Sequence, residues 1–276
     1  MDFSSDVLSL EVSGPVATLW LDRPEARNAM GLALWQDLPR AAEAVASDSS
    51  IRVLILAAKG PSFTVGLDLK EMGGSLSGDG TTATSRASAS KRFMKDVARM
   101  QQAVTCMAEL SVPVIAAVHG YCIGGGVDLI TACDIRLASA DAIFSVREAK
   151  VAIVADLGTL QRLPRIIGAG HVAELALTGK DITADRAATI GLVNHVCGAS
   201  AEDVYEAAQA LATEIAANSP LAVQGTKSVL AANDGKTIAE GLDYVARWNA
   251  MYIQSNDLRE AMMAFLERRP PVFNGD

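Results

Sequence analysis

Asp128, Glu148 and Asp156 lie in the most apolar, glycine-marked stretch of the chain: His119-Gly-Tyr-Cys-Ile-Gly-Gly-Gly-Val-Asp128-Leu-Ile, then Phe144-Ser-Val-Arg-Glu148-Ala-Lys-Val-Ala-Ile-Val-Ala-Asp156-Leu-Gly. Acidic groups are rarely buried unless they are paired or put to use, so three of them among Val, Ile, Leu and Ala point to proton transfer in a dry pocket. Structural roles compete for each one alone: a helix-start charge for Asp128, pairing of Glu148 with Arg147 or Lys150, and a turn before Gly158 for Asp156. Taken together, and beside so many glycines, the set favours catalysis.

The glycines supply what such acids need. Gly124-Gly125-Gly126 follow a strand and open a helix, and the first N–H groups of a helix carry a partial positive charge that suits an oxygen gaining negative charge during reaction. A second donor is available in Ser62-Phe-Thr64-Val-Gly66-Leu67-Asp68-Leu69, where the Gly66-Leu67 amide can reach the same oxygen. Two amides on one carbonyl form an oxyanion hole, and losing one such donor commonly costs about 3 kcal/mol. Other glycine devices are absent: there is no GxxxxGK[ST], no GxGxxG and no GxSxG elbow. His119, His171 and His195 have no metal-ligand spacing, and no metal is expected.

The elements that must hold these residues are legible from periodicity. Residues 7–13 and 16–21 read as a hairpin. Residues 32–46 read as a helix that Pro39 kinks or divides. Residues 51–57 and 112–118 are buried strands, the second running straight into the glycine segment, and shorter strands follow at 135–137 and 142–146. Residues 73–90, with almost nothing to bury, read as a long mobile loop, either a lid or a surface insertion. Residues 91–110 form a helix with Phe93, Val97, Met100, Val104 and Met107 as an inward core stripe. Helices start near Thr159 and after Thr183, which caps the latter, and from Cys197 onward the pattern is helical throughout. This divides the chain into a mixed core, residues 1–200, and a helical region, residues 201–276.

Composition bounds the setting. The 276 residues are half hydrophobic and carry a net charge of −8, which disfavours nucleic acid or an anionic membrane as a main partner. No apolar run is long enough to span a bilayer, and Met1-Asp-Phe-Ser-Ser-Asp lacks the basic start of a signal peptide. Arg162, Arg165, Arg268 and Arg269 are candidates for a local phosphate-binding cluster. Cys106, Cys122, Cys133 and Cys197 sit in apolar stretches without CxxC spacing and read as reduced core thiols, so a cytoplasmic setting is expected.

The pairing of Ser62–Leu69 with Gly120–Leu129, then Cys133-Asp-Ile-Arg136-Leu-Ala-Ser, resembles the crotonase superfamily of enoyl-CoA hydratases and isomerases. So do Asp22-Arg-Pro-Glu-Ala-Arg-Asn28-Ala, Thr178-Gly179 and Gly191-Leu-Val-Asn194, and the likeness runs in order along nearly the whole chain. The resemblance implies an α/β fold, a spiral of repeated ββα turns with a C-terminal helical trimerisation region, and a homotrimer or a hexamer built as a dimer of trimers. It implies an acyl-CoA thioester as substrate and no separate cofactor. The thioester carbonyl would lie between the N–H groups of Leu67 and Gly125, with Ala26, Thr64, Gly66, Asp68, Gly124 and, from this or a neighbouring subunit, Phe265 lining the CoA channel. Hydratases of this superfamily hold a water between two glutamates whose positions match Asp128 and Glu148. The shorter first acid, together with Asp156, resembles the 3,5-dienoyl-CoA to 2,4-dienoyl-CoA isomerases. On that likeness Glu148 is the base at C2, Asp156 the acid at C6, and Asp128 tunes or orients Glu148, its place in a first helical turn favouring its ionised form. A hydratase with an unusual first acid, and a non-catalytic acyl-CoA-binding protein of the same fold, remain alternatives.

Overall fold

The computed structural model describes residues 3–72 and 85–276. Strands β1 (Leu8–Ser13) and β2 (Val16–Leu21) form the expected antiparallel hairpin. Beside β2 run, all parallel, β3 (Val53–Ala58), β4 (Val114–Val118), β6 (Ile135–Ala138) and β9 (His195–Val196), giving a six-stranded sheet in the order β1-β2-β3-β4-β6-β9. A second sheet is made of β5 (Tyr121–Ile123), β7 (Ile143–Ser145) and β8 (Ile182–Thr183), in the order β5-β7-β8. Successive pairs β4/β5, β6/β7 and β8/β9 each give one strand to either sheet. This alternation is the ββα spiral.

Period-two burial explains the large sheet. In β3, Leu54 and Leu56 face one core, with Leu19, Val114 and Ala116, while Val53, Ile55 and Ala57 face the other, with Ile115 and Leu137. Both faces being covered, the strands read as continuous apolar runs. The first face is covered by α1 (Leu32–Ser47) and α2 (Arg86–Glu109). α1 is unbroken. Pro39 sits inside it and costs it the bond to the Trp35 carbonyl without dividing it, so of the expected kink or division the division does not occur.

The glycine helix α3 (Gly125–Thr131) is wholly buried, and α4 (Thr159–Arg162), α5 (Ala169–Thr178) and α6 (Ala184–Thr189, capped by Thr183) complete the spiral. The second face is covered by α7 (Ala201–Ala216), through Val204, Ala208, Ala212 and Ala216. This packing carries the core past the boundary expected at residue 200. The helices that leave the sheet are α8 (Pro220–Ala232), α9 (Ile238–Tyr252) and α10 (Asn256–Glu267).

The expected loop at 73–90 lies outside the described residues up to 84. Beyond it, helix α2 starts at Arg86, capped by the Ser85 hydroxyl accepting from Ser88 N–H, so the end of that segment is helical. Nor is the α2 stripe uniformly core. Val104 and Met107 are fully buried, whereas Val97 and Met100 are half-buried and Phe93 is exposed, because the first half of the helix overhangs a cavity.

Candidate active site

Two backbone segments meet at one end of that cavity. Thr64 N–H donates to Tyr121 O (2.8 Å) and Ile123 N–H to Thr64 O (3.1 Å), while on the other side Met30 N–H donates to Gly66 O (2.8 Å) and Asp68 N–H to Met30 O (3.1 Å). This ladder leaves the Leu67 N–H without an acceptor among the described residues, as is the N–H of Gly125, the first residue of α3. Gly66 is required here. Its φ of +85° belongs to glycine, and a Cβ would lie 2.7 Å from Ile123 O and 3.7 Å from Gly125 N.

The residues around this junction hold it in place. The buried Asn28 carboxamide donates to Lys59 O and Ser62 O (2.9 Å each) and accepts from Arg23 N–H (2.8 Å). Thr64 Oγ1 donates to Asn28 O (2.6 Å) and accepts from Gly66 N–H (3.1 Å), and the Asp68 carboxylate takes Arg23 Nη1 (2.9 Å) and the N–H groups of Lys70 and Glu71. Thr64 and Asp68 therefore brace the segment and do not line the cavity. Ala26, at the end of the 3₁₀ turn Pro24–Ala26, is half-buried and also off it. Phe265 on α10 is 83% exposed and does not reach the cavity of its own chain.

The cavity, about 170 Å³, brings together Gly66, Leu67, Gly124 and Gly125 with Asp128, Glu148 and Asp156. Its remaining walls are mainly apolar: Trp35, Phe93, Val97, Met100, Ile153 and Leu157. Glu148 opens the 3₁₀ turn Glu148–Val151, its Oε1 3.3 Å from where a Cβ on Gly124 would stand. Its Oε2 is buried with no hydrogen-bond partner among the described residues. Burial pushes the Glu148 carboxyl up to about 7, opposed by its own backbone N–H and reinforced by the charges of Asp128 and Asp156. Its neighbours do not pair with it: Arg147 is bound to Asp181, and Lys150 lies over Gly179.

Asp128, 1% exposed on α3, accepts the Thr159 N–H at 2.6 Å. Burial raises it to about 6, against the pull of the Thr159 bonds and with a further push from Asp156. The raise works against the ionised form that its helix-start position favours, desolvation in a seven-residue, fully buried helix opposing the helix field. Asp128 is hydrogen-bonded to the turn that follows Asp156, and of the two expected roles, tuning or orienting Glu148, it is through charge that it acts on Glu148, raising that carboxyl. Asp156 is half-buried and raised by burial, and its carbonyl accepts from Gln101 Nε2 (2.7 Å).

Several residues of the site escaped the sequence reading. Trp35 and Phe93 look like ordinary core residues in a helical stripe, and nothing in a 3.6-residue period says which half of a helix overhangs a hollow. Three of the four candidate arginines have protein partners: Arg165 pairs with Asp234, Arg269 with Glu260 and Glu267, and Arg162 binds Thr105. The four cysteines are free, three of them buried. Among the described residues no group of three or more His, Cys, Asp or Glu is placed to hold a metal ion, and no helix is long and apolar enough to cross a membrane.

A spiral of ββα turns with three raised carboxyls around a cavity floored by two helix- and turn-borne amides defines a class, and the comparisons agree. The sequence profile of the Enoyl-CoA hydratase/isomerase family matches residues 11–276, and the chain belongs to that family. It is 41% identical over 268 residues to the peroxisomal Delta(3,5)-Delta(2,4)-dienoyl-CoA isomerase of Arabidopsis thaliana, covering 97% of this chain and 96% of the relative. It is 44% identical over 258 residues to the mitochondrial enzyme of the same name from Dictyostelium discoideum, covering 94% and 87%. Among solved structures, an enoyl-CoA hydratase from Bacillus anthracis superposes with a TM-score of 0.88 at 30% identity, covering 98% of this chain and all of that one. One from Mycobacterium smegmatis gives 0.85 at 29%, covering 97% and 99%. The organellar locations in the relatives' names overturn the cytoplasmic setting expected from the thiols and the N-terminal residues, since reduced cysteines do not discriminate between these compartments.

Proposed function

We propose that this protein converts 3,5-dienoyl-CoA thioesters to 2,4-dienoyl-CoA thioesters. The thioester oxygen takes the N–H groups of Leu67 and Gly125, which acidifies C2. Glu148 removes the C2 proton, the charge passes into a dienolate held by the two amides, and the electrons return to form the C2=C3 and C4=C5 bonds as Asp156 gives its proton to C6. The cycle leaves Glu148 protonated and Asp156 ionised, and a proton exchange restores both. The observation that carries this reading is the grouping of three carboxyls on one largely apolar cavity, with Glu148 pushed to about 7 and its buried oxygen unpartnered. A base needs such a poise near neutral pH, and an acid needs burial to keep its proton. The relatives named dienoyl-CoA isomerases support the same branch.

The second reading, hydration of a 2-enoyl-CoA, is favoured by the names of the superposed structures. Supplying the purified protein with a 3,5-dienoyl-CoA and separately with a 2-enoyl-CoA separates the two. Growth of conjugated 2,4-diene absorbance supports isomerisation. A 3-hydroxyacyl product without it supports hydration, and binding of both thioesters with no turnover supports a non-catalytic carrier.

The assembly reading is a homotrimer, or two trimers back to back. Its support is the apolar surface that α9 and α10 leave open: Ile238, Leu242, Met262, Phe265 and Leu266 are each more than half exposed. Mass measurement in solution checks it, a monomer being the contrary result.

A further inference from the structure

Arg162 ends α4, and its side chain folds back over its own turn. Nη1 donates to Leu157 O (3.2 Å), and a Cβ on Gly158 would stand 1.8 Å from Nη1 and 2.8 Å from Cζ. The guanidinium therefore fills the space a side chain at 158 would take, and Gly158, at φ +125°, is glycine for its dihedral as well as for that room. Nη2 crosses to α2 and donates to Thr105 Oγ1 (2.7 Å). One turn earlier on the same helix, Gln101 reaches Asp156 O (2.7 Å), and from the opposite side Asp128 takes the Thr159 N–H (2.6 Å). The segment that carries Asp156 is thus gripped by α2 at two points and by α3 at one.

The charges around Arg162 are Asp128 and Glu109, the cation Arg165 and the Cys133 thiol. Those around Asp128 are Asp156, Glu148, Arg162 and the Cys122 thiol. Arg162 is the cation that acts on Asp128, while Arg147, which lines the cavity beside Glu148, is bound to Asp181. A half-buried guanidinium is costly to place, and its bonds to Leu157 and Thr105 leave its positive field acting on a group of acids that together carry excess negative charge.

We propose that Arg162 is a positioning residue of the reaction, clasping the Asp156 segment to α2 and offsetting the negative charge of the acid group through Asp128. The inference rests on the isomerase reading, because it takes Asp156 as the group whose placement limits proton delivery at C6.

The test compares Arg162→Met, Arg162→Lys and Thr105→Val in the full-length protein, measuring kcat, KM and the pH profile with a 3,5-dienoyl-CoA over about pH 5 to 9. Arg162→Met should lose about 10- to 100-fold in kcat with KM within about twofold, and the acid limb of its profile should move up, since Asp128, which titrates together with Glu148, holds its proton longer without the cation. Arg162→Lys should return the limb toward the parent while recovering only part of kcat, because an ammonium cannot make both bonds of the fork. Thr105→Val should lower kcat and leave the limb in place. A parent-like kcat and limb in Arg162→Met overturns the proposal. Should that variant fail to fold, parent-like kcat in both Arg162→Lys and Thr105→Val overturns it. A parent protein that hydrates enoyl-CoA and isomerises nothing sinks the isomerase reading instead, and the acid limb of hydration in the same variants then decides on the clasp.

Discussion

Replacing Glu148 by Gln should destroy activity and, above neutral pH, make the fold more stable. The carboxyl's ordinary value is 4.5, and burial beside Asp128 and Asp156 takes it to about 7 in the folded protein. Between those values the unfolded chain releases the proton while the folded protein keeps it, so the folded state binds more protons and stability falls as pH rises through that window. The loss is complete above about 7. At roughly 1.4 kcal/mol per pKa unit the cost is at most about 3 kcal/mol, part of it shared with Asp128, which titrates close by. Gln keeps the shape and never ionises. Glu148→Gln should therefore exceed the parent by up to about 3 kcal/mol near pH 8, and the advantage should fade toward pH 5. Urea titrations of both proteins at the two pH values, at one protomer concentration, measure this directly. Turnover should drop by about 10² to 10⁴. A variant no more stable than the parent near pH 8 would refute the reasoning, since it would mean that Glu148 is solvated or paired.

The same poise predicts the pH dependence of the reaction: kcat/KM should fall about tenfold per pH unit below about 7 as Glu148 takes up its proton, and a flat profile through that region would contradict its role as base. Gly66→Ala places a Cβ 2.7 Å from Ile123 O at φ +85°, so it should cost about 1–3 kcal/mol in stability and lower kcat more than it raises KM. Thermal unfolding and steady-state kinetics check both parts, and a variant like the parent in each would show that the two segments need not meet so closely.

Much of this architecture can be read from the chain because burial leaves a regular trace. The hairpin, β3 and β4 are apolar runs bounded by turn residues, and the N-caps Thr183 and Ser219 mark their helices. What escapes is whatever depends on distant partners. Strands β5, β8 and β9 are only two or three residues long and exist through pairing with β7 and β6, which no local pattern encodes. Pro39 signals a break that packing of Leu34, Trp35, Leu38 and Ala42 overrides. At the site, the acids and glycines announce themselves by being out of place among apolar residues. The bond from Asp128 to Thr159, and the turn of Phe93 toward a cavity, are tertiary facts without a sequence signature.

The central claim is that a proton leaves C2 and another arrives at C6 from separate carboxyls. The most direct measurement is turnover of a 3,5-dienoyl-CoA in deuterated water, comparing the parent with Asp156→Asn. The account predicts a 2,4-dienoyl product carrying deuterium at C6 from the parent, and in Asp156→Asn a loss of turnover of about 10² or more with deuterium still exchanged into C2 by Glu148. Unimpaired isomerisation in Asp156→Asn, or a product without deuterium at C6, would contradict it.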